Sequence, residues 1–350
     1  MLKRAVVPST RLATRGQPVR LHEQALRTLV TGGAGFIGSH LVDRLVAEGH
    51  SVCVVDDLST GLATNIPTEV RLHQVDVCDD ASLGGVFDAF RPETVFHLAA
   101  QMDVRRSTHN PAFDARVNVL GGLNVLRAAV RVGARRLIYA STGGAVYGNP
   151  ERLPASEADL PDPISEYGAS KLALEHYLAV YGNRRQIQFV VLRYPNVYGP
   201  RQRSDGEAGV VAIFANQMLR GESVTIFGDG TKTRDYLYVN DVVEANIRAA
   251  SGPGGVVANL GWGREVSDIE IFREVANATG YDRPPRYAPC RPGEVSRICL
   301  NSSRALHTWG WRPLVPLRAG VAQVVSHIER GVLSSVLVDP DARQRVLREE

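Results

Sequence analysis

The sequence predicts an α/β protein, a doubly wound parallel sheet that leads into a smaller C-terminal α/β lobe. Two observations carry that expectation. The stretch 26–55 reads as strand, glycine turn, amphipathic helix and second strand. Apolar strand-like runs then alternate with helical stretches as far as Tyr194. Repeated βαβ units connect by right-handed crossovers and build a parallel sheet. A chain of 350 residues, 44% hydrophobic and 22% charged, is long enough to bury a substantial core.

Taken in order, Leu26–Thr31 is a short apolar run, and Gly32, Gly35 and Gly38 follow it at three-residue spacing. Ile37, Leu41, Leu45 and Val46 mark the apolar face of a helix that Gly49 ends, and Ser51–Val55 is the next strand. Further strands are expected within 70–77, ending at Asp76, and over 93–100, 135–142 and 187–194. Helices are expected over 118–132 and 167–181. Sheets of this kind bind ligands at the carboxyl ends of their strands. Asp76, Ala99, Ala100, Ser141, Thr142 and Tyr194 all fall there.

The glycine turn has a specific physics. Gly32 permits the tight turn, Gly35 lets a pyrophosphate approach the backbone, and Gly38 lets the helix pack closely on the strand. The helix N-terminus offers free N–H groups and the positive end of its dipole to phosphates. Asp56 follows at the end of the second strand, where a carboxylate bonds the adenosine ribose hydroxyls. An acid there repels a 2′-phosphate, so the expected dinucleotide is NAD rather than NADP.

The formal charge of +3 points to neither nucleic acid nor a membrane surface as a partner. No apolar run reaches the roughly 18 residues needed to span a bilayer. The four cysteines, Cys53, Cys78, Cys290 and Cys299, form no C-x-x-C and have no His at metal spacing, so no metal site is expected. Cys53 and Cys78 read as buried free thiols, which fits a reducing cytoplasm. Residues 1–25 open with five basic residues and no acid through residue 20, and lack an apolar core. They are expected to be a disordered extension rather than a secretory signal, with an organelle-targeting segment as the alternative. Residues 333–350 are expected to form a peripheral tail.

Tyr167 lies four residues before Lys171, so the two share a helix face. Alone, the pair reads equally as an exposed polar couple. In the company of "TGGAGFIGSHL", "VVDDLSTG", "FHLAAQ", "STGGAVYG", "YGASK", "LRYPNVYGPRQ", "IFGDGTKTRDYLYVNDV" and "RPGEV", it does not. These motifs run from residue 26 to about 330. The chain resembles the extended short-chain dehydrogenases/reductases, in the NAD-dependent sugar-nucleotide epimerase/dehydratase branch, and is most similar there to the UDP-glucose 4-epimerase group.

The resemblance implies a Rossmann domain over 26–195 and a mainly nucleotide-sugar-binding lobe over 196–332, with about 236–262 returning to the first domain. It implies that Tyr167 is the base and that Lys171 lowers its proton affinity while holding the nicotinamide ribose. A hydroxyl completes the set. Counting back from Val146-Tyr147-Gly148 lands on Gly143, which has none; counting from Tyr167 selects Thr142, with Ser141 as the alternative. The implied cofactor set is Gly32, Gly35 and Gly38 with Phe36 and Ile37, then Asp56, Asp57, Asp76 and Val77. Leu98, Ala99, Ala100, Tyr194, Tyr167 and Lys171 complete it. Asn196, Arg234, Arg291 and Glu294 are implied substrate contacts, joined by Thr142 and Tyr167. The two arginines would hold a diphosphate. Asp235, Tyr236 and His97 are expected to be structural.

Dehydratases and decarboxylases of this branch carry acids directly after the active-site Thr, where this chain has Gly143 and Gly144. The expected reaction is therefore 4-epimerisation of a UDP-hexose of the UDP-glucose/UDP-galactose type. The alternatives are UDP-glucuronate, UDP-N-acetylhexosamine or another nucleotide sugar of a specialised glycan pathway. Sugar choice would be gated near Ile298. A homodimer through the helices at 118–132 and 167–181 is also implied.

Overall fold

The computed structural model describes residues 25–204, 209–291 and 294–338. Seven parallel strands form the central sheet: β1 (Arg27–Thr31), β2 (Ser51–Asp56), β3 (Arg71–Gln74), β4 (Thr94–His97), β5 (Arg136–Thr142), β6 (Gln188–Tyr194) and, much later in the chain, β11 (Val256–Asn259). Their order is β11-β6-β5-β4-β1-β2-β3. The order reverses between β1 and β4, and that switch point opens a crevice at the carboxyl ends of the strands. The doubly wound parallel sheet that the alternation predicts is what the chain forms.

Helices α1 (Phe36–Ala47), α2 (Asp80–Phe90), α3 (Val104–His109), α4 (Pro111–Ala115), α5 (Gly122–Arg131), α6 (Gly143–Val146) and α7 (Glu166–Asn183) connect these strands. Short pairs β7 (Asn196–Tyr198) with β10 (Tyr236–Tyr238), β8 (Thr225–Phe227) with β13 (Arg286–Ala288), and β9 (Thr233–Arg234) with β12 (Val266–Ser267) follow. Around them lie α8 (Val210–Leu219), α9 (Val239–Ser251), α10 (Asp268–Thr279), α11 (Ser303–Trp309) and α12 (Leu317–Val338). Two apolar layers sandwich the sheet. One packs α1 and α9 on Val30, Phe96 and Val190, and the other packs α2, α5 and α7 on Leu29, Val95 and Leu137. A separate core around Val211, Phe214, Ile271 and Val324 unites α8, α10 and α12.

The differences from the sequence expectation are local. The third strand ends at Gln74, not Asp76, because the Asp76 carboxylate turns back to accept the Cys78 amide at 2.8 Å. Cys78 therefore lies half-buried in a turn, whereas Cys53 is buried as expected. The helix expected over 118–132 is α-helical only from Gly122; residues Arg116–Gly121 form a π-turn. A π-turn admits one extra residue and is common beside functional sites. Here it brings Gly121 against Val77 and Gly122 against Leu174, where an added Cβ would lie 2.7 and 2.2 Å away. A larger residue there would have to displace the Val77 or Leu174 side chain. Most of the N-terminal extension and the tail beyond Val338 lie outside the described residues, while α12 carries the chain to 338.

Candidate active site

Site construction starts at the β1–α1 turn. Gly32 sits at φ +69°, and a Cβ there would meet the Ala99 amide nitrogen at 2.6 Å. A Cβ at Gly38 would lie 2.1 Å from the Gly32 carbonyl oxygen. At Gly35 a Cβ would find only that oxygen within 4 Å, at 3.3 Å, so the turn is open on its outer side. Helix α1 has no side-chain cap, in contrast to α2 and α7, which Asp79 and Ser165 cap. Its first N–H groups are left for an anion. Asp56 accepts the Ala34 and Leu58 amides, each at 2.9 Å, and burial pushes its carboxyl pKa upward. A backbone cradle that a side chain would fill, an uncapped helix start and a carboxylate beside them fit a dinucleotide.

The other sequence-predicted cofactor residues line the same crevice unequally. Phe36 and Ile37 open α1, and Phe36 sets its ring edge-on to His40. Asp57 is exposed and bonds Ser59, and Val77 is buried against the π-turn. Leu98 and Ala99 leave β4 held by Thr31, whose carbonyl takes the Leu98 amide and whose hydroxyl takes the Ala99 amide. Ala100 follows them at the strand end. Tyr194 pairs with Thr142 across β6 and β5, but its phenol is turned into the core onto Asn246, at 3.0 Å from Oδ1. Its backbone, not its ring, is what the crevice can use.

Adjacent residues in a strand point to opposite faces. That separates the two candidate hydroxyls. Ser141 Oγ donates to the Glu175 carboxylate, while Thr142 hydrogen-bonds the Tyr167 phenol. Tyr167 is half-buried, and desolvation pushes its phenol up to about 12; the nearby Asp114 adds to this and the Thr142 bond opposes it. Burial likewise pushes Lys171 down to about 7, against the pull of Glu175 and Asp114. Its Nζ stands 4.5 Å from the centre of the Tyr139 ring. In the protein alone, burial and Asp114 oppose the lowering of the tyrosine expected from the lysine. Burial disfavours both charges. His97 shares a 2.7 Å hydrogen bond with Thr31, and burial, with Lys171 nearby, holds it neutral, at about 3. It is a strut.

Sequence reasoning missed two buried networks under this site. Arg193 on β6 grips Glu175 with Nε at 3.1 Å and Nη2 at 2.6 Å, and donates to the Tyr147 hydroxyl at 2.7 Å. Tyr147 passes on to Asn259 at 2.9 Å. The second network joins Gln101, Asp114, Asn118 and Ser170 through the π-turn. Polar residues inside apolar runs are the only signal in the sequence, and nothing there says which ones meet.

The rim of the second lobe holds the remaining candidates. Arg234 is half-buried, bonds the Thr233 carbonyl at 2.8 Å, and has Asp268 and Glu294 near it. Arg291 lays its guanidinium 3.6 Å from the centre of the Phe227 ring. Glu294 is paired with Lys232 at 2.5 Å, and Lys232 also reaches Asp268 at 3.4 Å. Asn196 starts β7, and its Oδ1 would stand 3.6 Å from a Cβ placed on Gly144. Asp235 takes the amides of Trp262, Gly263 and Leu300, and Tyr236 is buried in the lobe's core, so both are structural as expected. Ile298 is buried among Val146, Tyr147 and Leu300. Among the described residues no cluster of His, Cys, Asp or Glu could hold a metal, and no helix is long and apolar enough to cross a membrane.

The profile of the NAD dependent epimerase/dehydratase family matches residues 28–261. The chain is 46% identical over 308 residues to UDP-glucose 4-epimerase of Mycolicibacterium smegmatis, covering 86% of this chain and 97% of that one. The solved UDP-glucose 4-epimerase of Thermotoga maritima, with UDP-glucose, superposes with a TM-score of 0.86 at 44% identity, over 88% of this chain and 100% of that one. The Thermus thermophilus UDP-glucose 4-epimerase, in complex with NAD, gives 0.83 at 45% identity, over 87% and 99%. A glycine cradle at the switch point, a Thr-Tyr-Lys set at the next strand end and relatives of this identity along nearly their whole length lead to one assignment: the chain belongs to the NAD-dependent epimerase/dehydratase family.

Proposed function

We propose that the protein is an NAD-dependent 4-epimerase of UDP-hexoses, interconverting sugars of the UDP-glucose and UDP-galactose type. The observation that carries the reading is the meeting of Thr142 with Tyr167, with Lys171 one turn along the same helix, beside two glycines, Gly143 and Gly144, where proton chemistry at a further carbon would need acids. Tyr167 takes the proton of the sugar C4 hydroxyl, and Thr142 holds the same oxygen. Bound NAD would supply the hydride chemistry at C4 and a positive charge to the site. The 4-keto sugar must turn over between the two transfers, so the protein has to hold the sugar by its nucleotide end. Asn196, Arg234, Arg291 and Glu294 do this, the arginines facing the diphosphate.

Gly32, Gly35 and Gly38 with Phe36 and Ile37 would seat the pyrophosphate, Asp56 and Asp57 would hold the adenosine ribose, and Asp76 and Val77 would lie on the adenine side. Leu98, Ala99, Ala100 and the Tyr194 backbone would border the nicotinamide half, and Lys171 would hold its ribose. Burial of two of the four thiols suits a cytoplasmic enzyme. Exposed Leu120, Tyr177 and Val180 on the π-turn and α7 suit a homodimer face there.

The test is incubation of the purified protein with UDP-glucose, UDP-N-acetylglucosamine and UDP-glucuronate separately, without added NAD, followed by proton NMR. Inversion at C4 of UDP-glucose is expected. Inversion of only one of the others would move the substrate assignment, and inversion of none would remove the reading. Tyr167→Phe should cut kcat by about 10²–10⁴-fold while retaining bound NAD. Wild-type turnover in that variant would refute the mechanism.

A further inference from the structure

We propose that Glu175 is a positioning residue of this site: bound from two strands at once, it sets where the Tyr167–Lys171 turn of α7 stands against the Thr142 end of β5. Helix α7 buries Gly168, Ser170, Lys171, Leu174, Glu175 and Leu178. Of these only Leu174 and Leu178 are apolar, and both lie beyond the Tyr167–Lys171 turn. Apolar burial is non-directional, so two leucines past the turn do little to fix its rotation or its height on the sheet. The turn that carries the chemistry depends on directional bonds for its place.

Glu175 supplies those bonds. Ser141 on β5 and Arg193 on β6 are register partners, so their side chains leave the same face of the sheet. Both reach the one carboxylate. Ser141 Oγ donates to Oε1, while Arg193 gives Nε to Oε1 at 3.1 Å and Nη2 to Oε2 at 2.6 Å. A guanidinium fork on a carboxylate fixes angle as well as distance, and both partners are buried. Arg193 is held in turn: its Nη1 donates to Tyr147, whose hydroxyl donates to Asn259 on β11. A further tie to β5 runs from the Tyr139 hydroxyl to the Lys171 carbonyl at 3.3 Å. Glu175 lies one turn past Lys171 and two past Tyr167, and Ser141 is the neighbour of Thr142. The clamp therefore joins the two elements that bring Thr142 to Tyr167. A misplacement of about 1 Å in an active site can cost about 10²-fold in rate. The part of Glu175 in turnover rests on the 4-epimerase reading; its placing of Tyr167 does not.

The test follows Tyr167 directly. The whole protein, as purified, is labelled with ¹³Cζ-tyrosine for NMR; Tyr167→Phe and Tyr236→Phe samples assign those two signals among the eleven tyrosines. Thr142→Val shows where the Tyr167 signal goes when its hydroxyl partner is lost. Two variants loosen the clamp. Ser141→Ala removes the bond from β5 and leaves the ion pair whole. Glu175→Leu combined with Arg193→Met exchanges the pair for apolar side chains, a change that buried ion pairs often tolerate. In both, the Tyr167 signal should move in the direction that Thr142→Val gives, while Tyr236 in the second lobe stays in place. On the sugar nucleotide that the wild type inverts, kcat should fall by about 3–10-fold in Ser141→Ala and about 10–100-fold in the double variant, with KM within about 3-fold and bound NAD retained. An unmoved Tyr167 signal overturns the proposal. So does an unchanged kcat, a movement shared by Tyr236, or a loss of turnover traced to KM or to lost NAD. Ser141→Ala decides alone if the double variant does not fold. A wild-type protein that inverts none of the sugars overturns the 4-epimerase reading alone, and the Tyr167 signal still decides the role of Glu175.

Discussion

The glycine turn after β1 and the rim of the second lobe, the two regions proposed to receive charged parts of a ligand, are built from different materials. At the turn the groups are backbone amides, and their positions follow from the missing side chains of Gly32, Gly35 and Gly38. At the rim the groups are long side chains brought from separate segments, and each already has a protein partner. Arg234 bonds the Thr233 carbonyl, Arg291 lies on Phe227, and Glu294 is paired with Lys232. The turn is rigid because its atoms are in mutual van der Waals contact. On the proposed reading, the rim would exchange these internal contacts for those of a ligand.

Substitutions can break that contrast. The largest effect belongs to the turn. Gly38→Ala places a methyl 2.1 Å from the Gly32 carbonyl oxygen, on backbone that cannot move aside. It should strip the protein of bound NAD and cost about 1–3 kcal/mol or more of stability. Absorbance of released NAD and a melting curve check it, and a variant that keeps both would show the turn to be pliable.

Next come the rim arginines. Arg234→Ala and Arg291→Ala should each raise KM for the nucleotide sugar by about 10–100-fold, the worth of a charged hydrogen bond, while NAD content stays full. Loss of NAD in either would merge the two regions into one site. The smallest effect is at the part-exposed Lys232–Glu294 pair. Lys232→Met frees Glu294 and should change stability by no more than about 1 kcal/mol, with KM shifted by a few-fold at most. A larger change, read by the same assays, would mean that the pair shapes the rim.

The turn and the rim also differ in how legible they were. Gly32, Gly35 and Gly38 could be assigned a reason each from spacing alone, and the structure adds that Gly32 also makes room for Ala99 on the neighbouring strand. The Thr142 and Ser141 alternatives could not be separated by counting residues, because counts from the two flanking motifs disagree. The strand pleat separates them at once, sending Ser141 to Glu175 and Thr142 to Tyr167. The helix start at Asn118 was misplaced because apolar periodicity does not register the single extra residue of a π-turn.

By itself the sequence determined the sheet, its parallel direction, the glycine cradle and the Tyr-Lys spacing. All of these depend on short-range periodicity and on residues within one or two turns of each other. Only the tertiary structure decided which buried charges meet. Arg193 and Glu175 are 18 residues apart, Gln101 and Asn118 are 17 apart, and Ser170 lies 52 from Asn118. Such pairs form because an unpaired polar group is costly in an apolar interior. That cost requires each buried group to find a partner, but which one it finds depends on the packing of helices and strands, and no local pattern in the chain records it.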